Sequence, residues 1–216
     1  MQAALVELAK DPLWFAQTFL RYKHKPISFH PWQTDFIRTT DFLKDRVCLR
    51  AARQIGKSLL VSILVLAYSV MHPDCTTHIF SASWRQSGNI FRYITQLIEG
   101  SPDIKKRVKG KIGKNEVSFK NGSRITHATA GLDGKHALGY SCEGRGMVVL
   151  DECAHVRSEA ARQIMPIANN AGLILVSTPQ FPSGFFYDAS KSEHFKNYHI
   201  PAIQSPLYDA QRFGKL

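Results

Sequence analysis

The triplet Gly56-Lys57-Ser58 lies between a short apolar run, 47–49, and a long apolar segment, so we predict a loop leading from a strand into a helix. Backbone N–H groups at the start of a helix can hold phosphate, a lysine can bridge phosphate oxygens, and a hydroxyl can ligate Mg²⁺. Ala51 stands where the general pattern GxxxxGK[ST] has its first glycine. The alternative is an ordinary helix start whose lysine has no special role.

Two acidic residues end a second apolar run. Met147 to Leu150 is followed directly by Asp151 and Glu152. A carboxylate at the carboxyl end of a strand can hold Mg²⁺, and the next one can orient and deprotonate an attacking water. Asp151 could instead be the N-cap of a following helix. The phosphate-binding candidate upstream favours the catalytic interpretation.

Hydroxyls end a third apolar run, and a glutamine precedes the triplet. Residues 173–176 lead into Ser177 and Thr178, whose hydroxyls could sense a terminal phosphate or simply form a turn before a proline. Gln33 lies on a short helix upstream, and its amide offers the donor and acceptor that N6 and N7 of adenine require. We expect its neighbour Trp32 in the core rather than stacked on a base.

The elements that position these residues alternate between strands and helices. Continuous apolar runs are typical of strands buried on both faces, which predicts parallel connectivity. Strands are predicted at 47–49, 76–81, 147–150 and 173–176, and helices over 2–20, 32–43, 59–71, 85–98 and 157–169. Asn121-Gly122 predicts an inserted hairpin, near 115–126, closed by a two-residue type I′ turn. We therefore predict an α/β fold with a mostly parallel sheet flanked by helices, and its motifs resemble those of a P-loop NTPase of the type with a catalytic glutamate (ASCE-type).

The composition indicates one folded, basic domain. The chain has 216 residues, 44% of them hydrophobic, and 28 Lys+Arg against 17 Asp+Glu give a net charge of +11. This excess favours a polyanionic partner, although it can serve solubility alone. Four cysteines without CxxC spacing predict neither a zinc site nor a disulfide framework, which favours a reducing compartment. We expect a soluble protein, because the N-terminus does not resemble a signal peptide and the segment 59–71 is shorter than the roughly 20 residues that span a bilayer.

The densest positive charge lies just ahead of the predicted hairpin. Six cationic residues fall within ten positions: Lys105, Lys106, Arg107, Lys109, Lys111 and Lys114. Lys120 and Arg124 follow in the hairpin. Neutralising several phosphates would give a salt-dependent, sequence-independent grip on nucleic acid, and the lack of aromatic residues in this run favours duplex backbone over single strands. The alternative is a solvated surface.

Taken in order, these motifs resemble the ATPase domain of the large terminase subunit of tailed bacteriophages, over about residues 29–190. In that family the P-loop often lacks its first glycine and reads Arg-Gln-x-Gly-Lys-Ser/Thr, as 53–58 does here. The resemblance implies ATP and Mg²⁺ as ligands and assigns nucleotide contacts to Gln33, Arg53, Gln54, Ile55, Gly56, Lys57, Ser58, Ser177 and Thr178, metal contacts to Ser58 and Asp151, and catalysis to Lys57 and Glu152.

The resemblance also implies a biological setting. It predicts ATP-driven packaging of double-stranded DNA into a procapsid by a ring homo-oligomer that contacts the portal and the small terminase subunit. The location would be the host cytoplasm and, transiently, the portal. The chain would comprise a helical flank with the adenine-binding segment (1–45), the ATPase core (46–200) and a linker (201–216) toward a nuclease domain. We expect no nuclease activity in these residues, since no second acidic cluster is present.

One feature departs from the family. Related terminases carry an Arg-Gly pair about a dozen residues before the Asp-Glu pair, thought to be an arginine finger, whereas this chain has Leu138-Gly139. Arg145 could substitute from the neighbouring subunit, Arg53 could act in cis, and Arg124 is a third candidate; each could also be a solvated arginine. A helicase-like translocase and a non-enzymatic DNA-binding module remain as alternative functions.

Overall fold

We describe the protein from a computed structural model, which covers residues 11–82, 84–131, 134, 139–142 and 144–205. The helices are α1 (Pro12–Phe19), α2 (Pro31–Arg38), α3 (Lys57–Met71), α4 (Trp84–Gly100), α5 (Pro102–Lys105), α6 (Ser158–Ile164) and α7 (Phe185–Ala189). The strands are β1 (Arg21–Tyr22), β2 (Lys25–Pro26), β3 (Arg46–Ala51), β4 (Thr76–Ser81), β5 (Glu116–Ser118), β6 (Arg124–Thr129), β7 (Gly146–Asp151), β8 (Gly172–Ser177) and β9 (Lys196–Ile200).

A seven-stranded sheet forms the centre of the fold. Its order is β5-β6-β4-β7-β8-β3-β9, and all neighbouring strands are parallel except the pair β5–β6. Every residue of β7 and β8 is buried, which explains their continuous apolar sequences. This arrangement confirms the predicted α/β class. Because the strands are parallel, the carboxyl ends of β3, β7 and β8 meet at one edge of the sheet.

Helix α3 is the most deeply buried helix among those described. Twelve of its 15 residues are buried, because α1 and α4 pack against it. Its residues Leu60, Val61 and Leu64 belong to the larger of two hydrophobic clusters. A helix that is covered on most sides can be apolar all round, as its sequence is. Its first residue is Lys57, so the core fixes the position of that lysine.

The hairpin forms, but the predicted type I′ turn is wrong. The Phe119 N–H donates to the Ser123 carbonyl at 2.8 Å and the Gly122 N–H to the Phe119 carbonyl at 3.2 Å, so the loop has three residues. Gly122 has φ +87°, whereas Asn121 is not in the left-handed region. The Asn121 amide instead donates to the Ser69 carbonyl at 2.9 Å and so caps the end of α3. This is a type I turn followed by a bulge glycine.

Several element boundaries differ from the sequence prediction. Helix α2 ends at Arg38 rather than near residue 43, and the predicted helix 157–169 becomes α6 followed by a 3₁₀ turn, Met165–Ala168. Pro166 explains the latter change, since proline has no N–H to continue an α-helix. Strand β9 was missed because only one of its five residues, Ile200, is buried. The predicted helix 2–20 begins, in the described residues, at Pro12.

Among the residues that the structure describes, no helix is both long and apolar enough to span a membrane. The predicted linker lies mostly outside the described residues, which end at residue 205.

Candidate functional site

The loop between β3 and α3 has the backbone of an anion cradle. Gln54 and Gly56 have positive φ values, +59° and +88°, and Gly56 is the N-cap residue directly before α3. Left-handed residues in such a loop turn successive N–H groups toward one concave surface, at the positive end of the helix dipole. Arg53 and Gln54 are exposed, while Ile55 is buried and anchors the loop to the core.

Lys57 joins the loop to the ends of two neighbouring strands. Its side chain is buried, and its Nζ donates to Thr178 Oγ1 at 3.0 Å. The same Nζ lies 3.8 Å from Glu152 Oε1. The structure therefore brings together the lysine, the second acid and the second hydroxyl that the sequence analysis had selected separately.

Asp151 and Glu152 differ in burial and backbone. Asp151 is 1% exposed, and its Oδ1 accepts the Glu152 N–H at 3.0 Å. Burial and, to a smaller extent, the charge of Glu152 raise the pKa of Asp151 to about 7, although the Glu152 N–H and Lys57 act to lower it. A nearby cation would therefore favour its ionised form. Glu152 has φ +48°, a strained conformation of the kind that clusters at functional sites.

Ser177 contacts Glu152 from the neighbouring strand. Its Oγ donates to Glu152 Oε2 at 3.3 Å and also lies 3.2 Å from the carbonyl of Thr178. The two hydroxyls at the end of β8 thus face different partners, since Thr178 contacts Lys57.

A pocket of about 260 Å³ adjoins the start of α3. Its walls include Tyr22, Ile27, Phe29, Gln33, Leu59 and Ile63. Gln33 Oε1 accepts the His30 N–H at 2.9 Å, and its Nε2 packs against Gly56, where an added Cβ would lie 3.2 Å away. The Gln33 oxygen is thus already used at the start of α2, and the amide nitrogen points toward the loop. Trp32 is buried in the core, as expected.

Most of the pocket wall consists of residues that no sequence motif marks. The segment 21–29, which includes the β1–β2 hairpin, lines one side of it. Its residues carry no motif. Only their closeness to Gln33 in the sequence could have suggested that they line the same pocket.

A family model supplies the comparison that decides the family. The model of the N-terminal part of the T4likevirus-type terminase large subunit matches residues 48–215, well over half of the chain. The chain belongs to this terminase family. A comparison with curated protein sequences found no match.

Solved terminase structures share the fold. The large terminase of bacteriophage HK97 is 20% identical with a TM-score of 0.72, over 89% of this chain and 43% of its own. The ATPase domain of the Thermus phage P74-26 large terminase is 18% identical with a TM-score of 0.66, over 80% of this chain and 81% of its own. The large terminase of a thermophilic bacteriophage, in complex with ATP-γ-S, is 15% identical with a TM-score of 0.61, over 87% and 48%. The chain thus spans less than half the length of the HK97 protein.

The donor atoms at the terminase site suit a hard divalent cation. Asp151 supplies a carboxylate whose second oxygen is not used by the Glu152 N–H, and Ser58 supplies a hydroxyl in the first turn of α3. Oxygen ligands of this kind are those that Mg²⁺ prefers. Over the described part of the chain, no group of three or more His, Cys, Asp or Glu side chains comes together. The oxygens of Ser58 and Asp151 themselves match the donor chemistry of such a cation.

The three finger candidates occupy two different edges of the sheet. Arg53 is exposed in the loop beside Gly56. Arg145 directly precedes β7 and Arg124 begins β6, so both lie at the amino-terminal edge, roughly 17–20 Å from the carboxyl end of a six-residue strand. Arg145 Nη1 lies 3.4 Å from His72 Nδ1. The structure does not bring Arg145 or Arg124 to Glu152 of the same subunit, and a role in a neighbouring subunit stays a prediction. Leu138 lies outside the described residues.

Proposed function

We propose that this chain is an ATPase domain that hydrolyses ATP with Mg²⁺ to move double-stranded DNA into a procapsid. One observation carries the proposal: the Lys57 ammonium, at the end of the loop, contacts side chains from two neighbouring strands. Thr178 Oγ1 lies 3.0 Å and Glu152 Oε1 3.8 Å from Lys57 Nζ. A non-enzymatic DNA-binding module would have no need of this arrangement. Complexes of a related large terminase with ADP and with ATP-γ-S support a nucleotide as the ligand.

Each residue at the site has a role that follows from its position. The loop N–H groups of 53–58 and the Lys57 ammonium would bind the phosphates, and the apolar pocket beside Gln33 would take the base. Ser58 and Asp151 would hold Mg²⁺, which supplies charge neutralisation of the phosphate oxygens. Glu152 would orient the attacking water and accept its proton. Ser177 and Thr178 would respond to the state of the terminal phosphate.

Double-stranded DNA would be held by a surface that we call the basic edge, made of residues 105–114 and the turn at 119–123. The Lys109 N–H donates to the Ser118 carbonyl at 2.8 Å, and the Lys120 N–H to the Arg107 carbonyl at 2.8 Å, so the cationic segment lies along the hairpin. All of its Lys and Arg side chains are exposed. Phosphate contacts of this kind give affinity without sequence preference, which suits a translocating motor.

The wider assignments are also proposals. Membership of the terminase family supports a ring homo-oligomer, contacts with the portal and the small subunit, and a location in the host cytoplasm and at the procapsid. The division into a helical flank (1–45), an ATPase core (46–200) and a terminal segment (201–216) is proposed from the sequence motifs. The helicase-like translocase is the second candidate, because it shares the P-loop, the Asp-Glu pair and a coupling segment like Ser177-Thr178.

The test of the proposed function is Glu152→Gln beside the wild-type protein. The amide keeps the shape of the side chain but cannot take a proton from water, so ATP should still bind and hydrolysis should fall by about 10²–10⁴-fold. Lys57→Ala should lose nucleotide binding as well. Hydrolysis of ATP by the Gln variant near the wild-type rate would contradict the catalytic assignment. Equal DNA affinity with and without nucleotide would favour the binding module.

A further inference from the structure

The two hydroxyls at the end of β8 do not share one task. Ser177 Oγ donates to Glu152 Oε2 at 3.3 Å, whereas Thr178 Oγ1 accepts from Lys57 Nζ at 3.0 Å. Ser177 is fully buried at the end of the strand, and its hydroxyl has two acceptors within reach, Glu152 Oε2 and the Thr178 carbonyl at 3.2 Å. Each hydroxyl therefore acts on a different member of the Lys57–Glu152 pair.

The Glu152 carboxylate is held from two sides in the structure. Its Oε1 faces the Lys57 ammonium at 3.8 Å, and its Oε2 accepts from Ser177. A bound triphosphate would draw the ammonium toward its own oxygens, since charge-assisted contacts to phosphate are stronger than a pair at this distance. The contact from Lys57 would then weaken, while the contact from Ser177 does not depend on the lysine.

Glu152 needs such a partner more than most carboxylates. A glutamate side chain is long and loses rotamer entropy when it is fixed in one direction. Its backbone is in the left-handed region, at φ +48°, and is set by the bond from its N–H to Asp151 Oδ1. The backbone is thus fixed, but the carboxylate at the end of the side chain is aimed only by what it touches.

We propose that Ser177 is a positioning residue that keeps the Glu152 carboxylate aimed at the attacking water once Lys57 has turned to the nucleotide. The inference rests on the proposed function, because it assumes that Glu152 is the base. In the hydrolytic step, Glu152 takes a proton from water, the water oxygen bonds to the γ-phosphorus, and the bond from that phosphorus to the bridging oxygen of ADP breaks. The Ser177 hydroxyl, which also lies 3.2 Å from the Thr178 carbonyl, keeps an acceptor after Glu152 is neutralised.

The first experiment compares Ser177→Ala with Thr178→Ala, its matched neighbour. Steady-state ATPase kinetics and titration with a fluorescent ADP analogue separate turnover from binding. Ser177→Ala should lower kcat by roughly 10- to 100-fold, the cost of a misplaced catalytic group, with nucleotide affinity within about 2-fold of wild type. Thr178→Ala should change nucleotide affinity more than kcat, since its hydroxyl contacts Lys57. Equal losses in both variants, or wild-type kcat in Ser177→Ala, would overturn the proposal.

The second experiment adds Ser177→Ala to Glu152→Gln. If Ser177 acts through Glu152, its removal should cost nothing further once the carboxylate is gone, so the double variant should match Glu152→Gln alone. A further loss equal to that in the wild-type background would mean that Ser177 acts elsewhere. Thermal unfolding of each variant confirms that the comparison is between folded proteins. Failure of the proposed function has a different signature, which is turnover by Glu152→Gln itself.

Discussion

Lys57 and Glu152 form an ion pair across the nucleotide site, with Nζ 3.8 Å from Oε1. The group proposed to hold phosphate and the group proposed to activate water are thus partners of each other in this structure. A nucleotide has to compete with Glu152 for the ammonium, and the carboxylate also repels a triphosphate. Both effects lower affinity for ATP.

Glu152→Gln should therefore bind ATP more tightly than the wild-type protein. We expect the affinity for ATP to rise by about 2- to 5-fold, which corresponds to the free energy of a partly exposed ion pair. The dissociation constant can be measured with a fluorescent ATP analogue before turnover. Glu99→Gln, which removes an exposed carboxylate on α4, is the control and should leave affinity unchanged. Weaker binding by Glu152→Gln would mean that Glu152 helps to hold the nucleotide.

Asp151→Asn should stabilise the protein in the absence of Mg²⁺ and nucleotide, because Asp151 is desolvated and its pKa is about 7. Between its ordinary value, 3.8, and about 7, the folded protein holds a proton that the unfolded chain has released, so stability falls as pH rises through this window. The asparagine keeps an acceptor for the Glu152 N–H without the charge.

Urea unfolding in EDTA at pH 8 and pH 5 checks this prediction. The variant should gain roughly 1–3 kcal/mol at pH 8 and much less at pH 5, where Asp151 is already protonated. Asp103→Asn, at an exposed position, is the control, and its change in the free energy of unfolding relative to wild type should be the same at both pH values. A variant no more stable than wild type at pH 8 would contradict the buried, costly carboxylate.

Charge removal from the basic edge should weaken binding to duplex DNA and flatten its dependence on salt. The variant replaces five residues by glutamine: Lys105, Lys106, Arg107, Lys109 and Lys111. Each lost phosphate contact should reduce the slope of log K against log salt by about 0.9, while ATP affinity stays constant. The control removes five exposed charges elsewhere, at Arg38, Lys44, Arg157, Arg162 and Lys191. If the slope of log K against log salt is the same in the two variants, the basic edge is a solvated surface that does not bind DNA.

Asn121→Ala should destabilise the fold, although asparagine was expected there only for its backbone preference. Its amide donates to the Ser69 and Val70 carbonyls at 2.9 and 3.2 Å, and its Oδ1 accepts the Ser123 N–H. Without the amide, these partly buried carbonyls lose their hydrogen-bond donor, which should lower the free energy of unfolding by about 1–3 kcal/mol. Asn115→Ala, at an exposed position next to β5, should cost little. The midpoints of urea unfolding measure the difference: the midpoint of Asn121→Ala should be clearly lower than that of Asn115→Ala, and equal midpoints would contradict the prediction.

The strands that carry the site could be predicted because burial on both faces makes them continuously apolar. The polar residues that end or follow β7 and β8 then fall at one edge of a parallel sheet, near Lys57; they are Asp151, Glu152, Ser177 and Thr178. The spacing predicts that these residues lie at the same edge of the sheet. It does not predict which side chains they contact, because the direction of a side chain depends on contacts across strands.

Other features left no such pattern in the sequence. Strand β9 is mostly exposed, and the pocket wall at 21–29 depends on long-range packing against α3. The position of Arg145 could have been inferred more closely: a residue just before a strand lies at its amino end, opposite the acids that follow the strand. Arg145 can reach the phosphates of a bound nucleotide only from another subunit.

ATP hydrolysis should therefore depend on an arginine from a neighbouring subunit. Isolated monomers should hydrolyse ATP slowly, because a positive group from a neighbour is worth about 10³–10⁵ in rate in related phosphoryl-transfer systems. Arg145 at one sheet edge and the loop 53–58 at the other could meet in a head-to-tail ring, where unlike surfaces face each other. Glu152→Gln and Arg145→Ala should each be inactive alone. Their mixture should regain part of the activity, since an intact Arg145 can then stand beside an intact Glu152. An inactive mixture, with mixed oligomers demonstrated by co-purification through a tag on one variant, would exclude Arg145 in trans and make Arg53, exposed in the loop itself, the residue to test next.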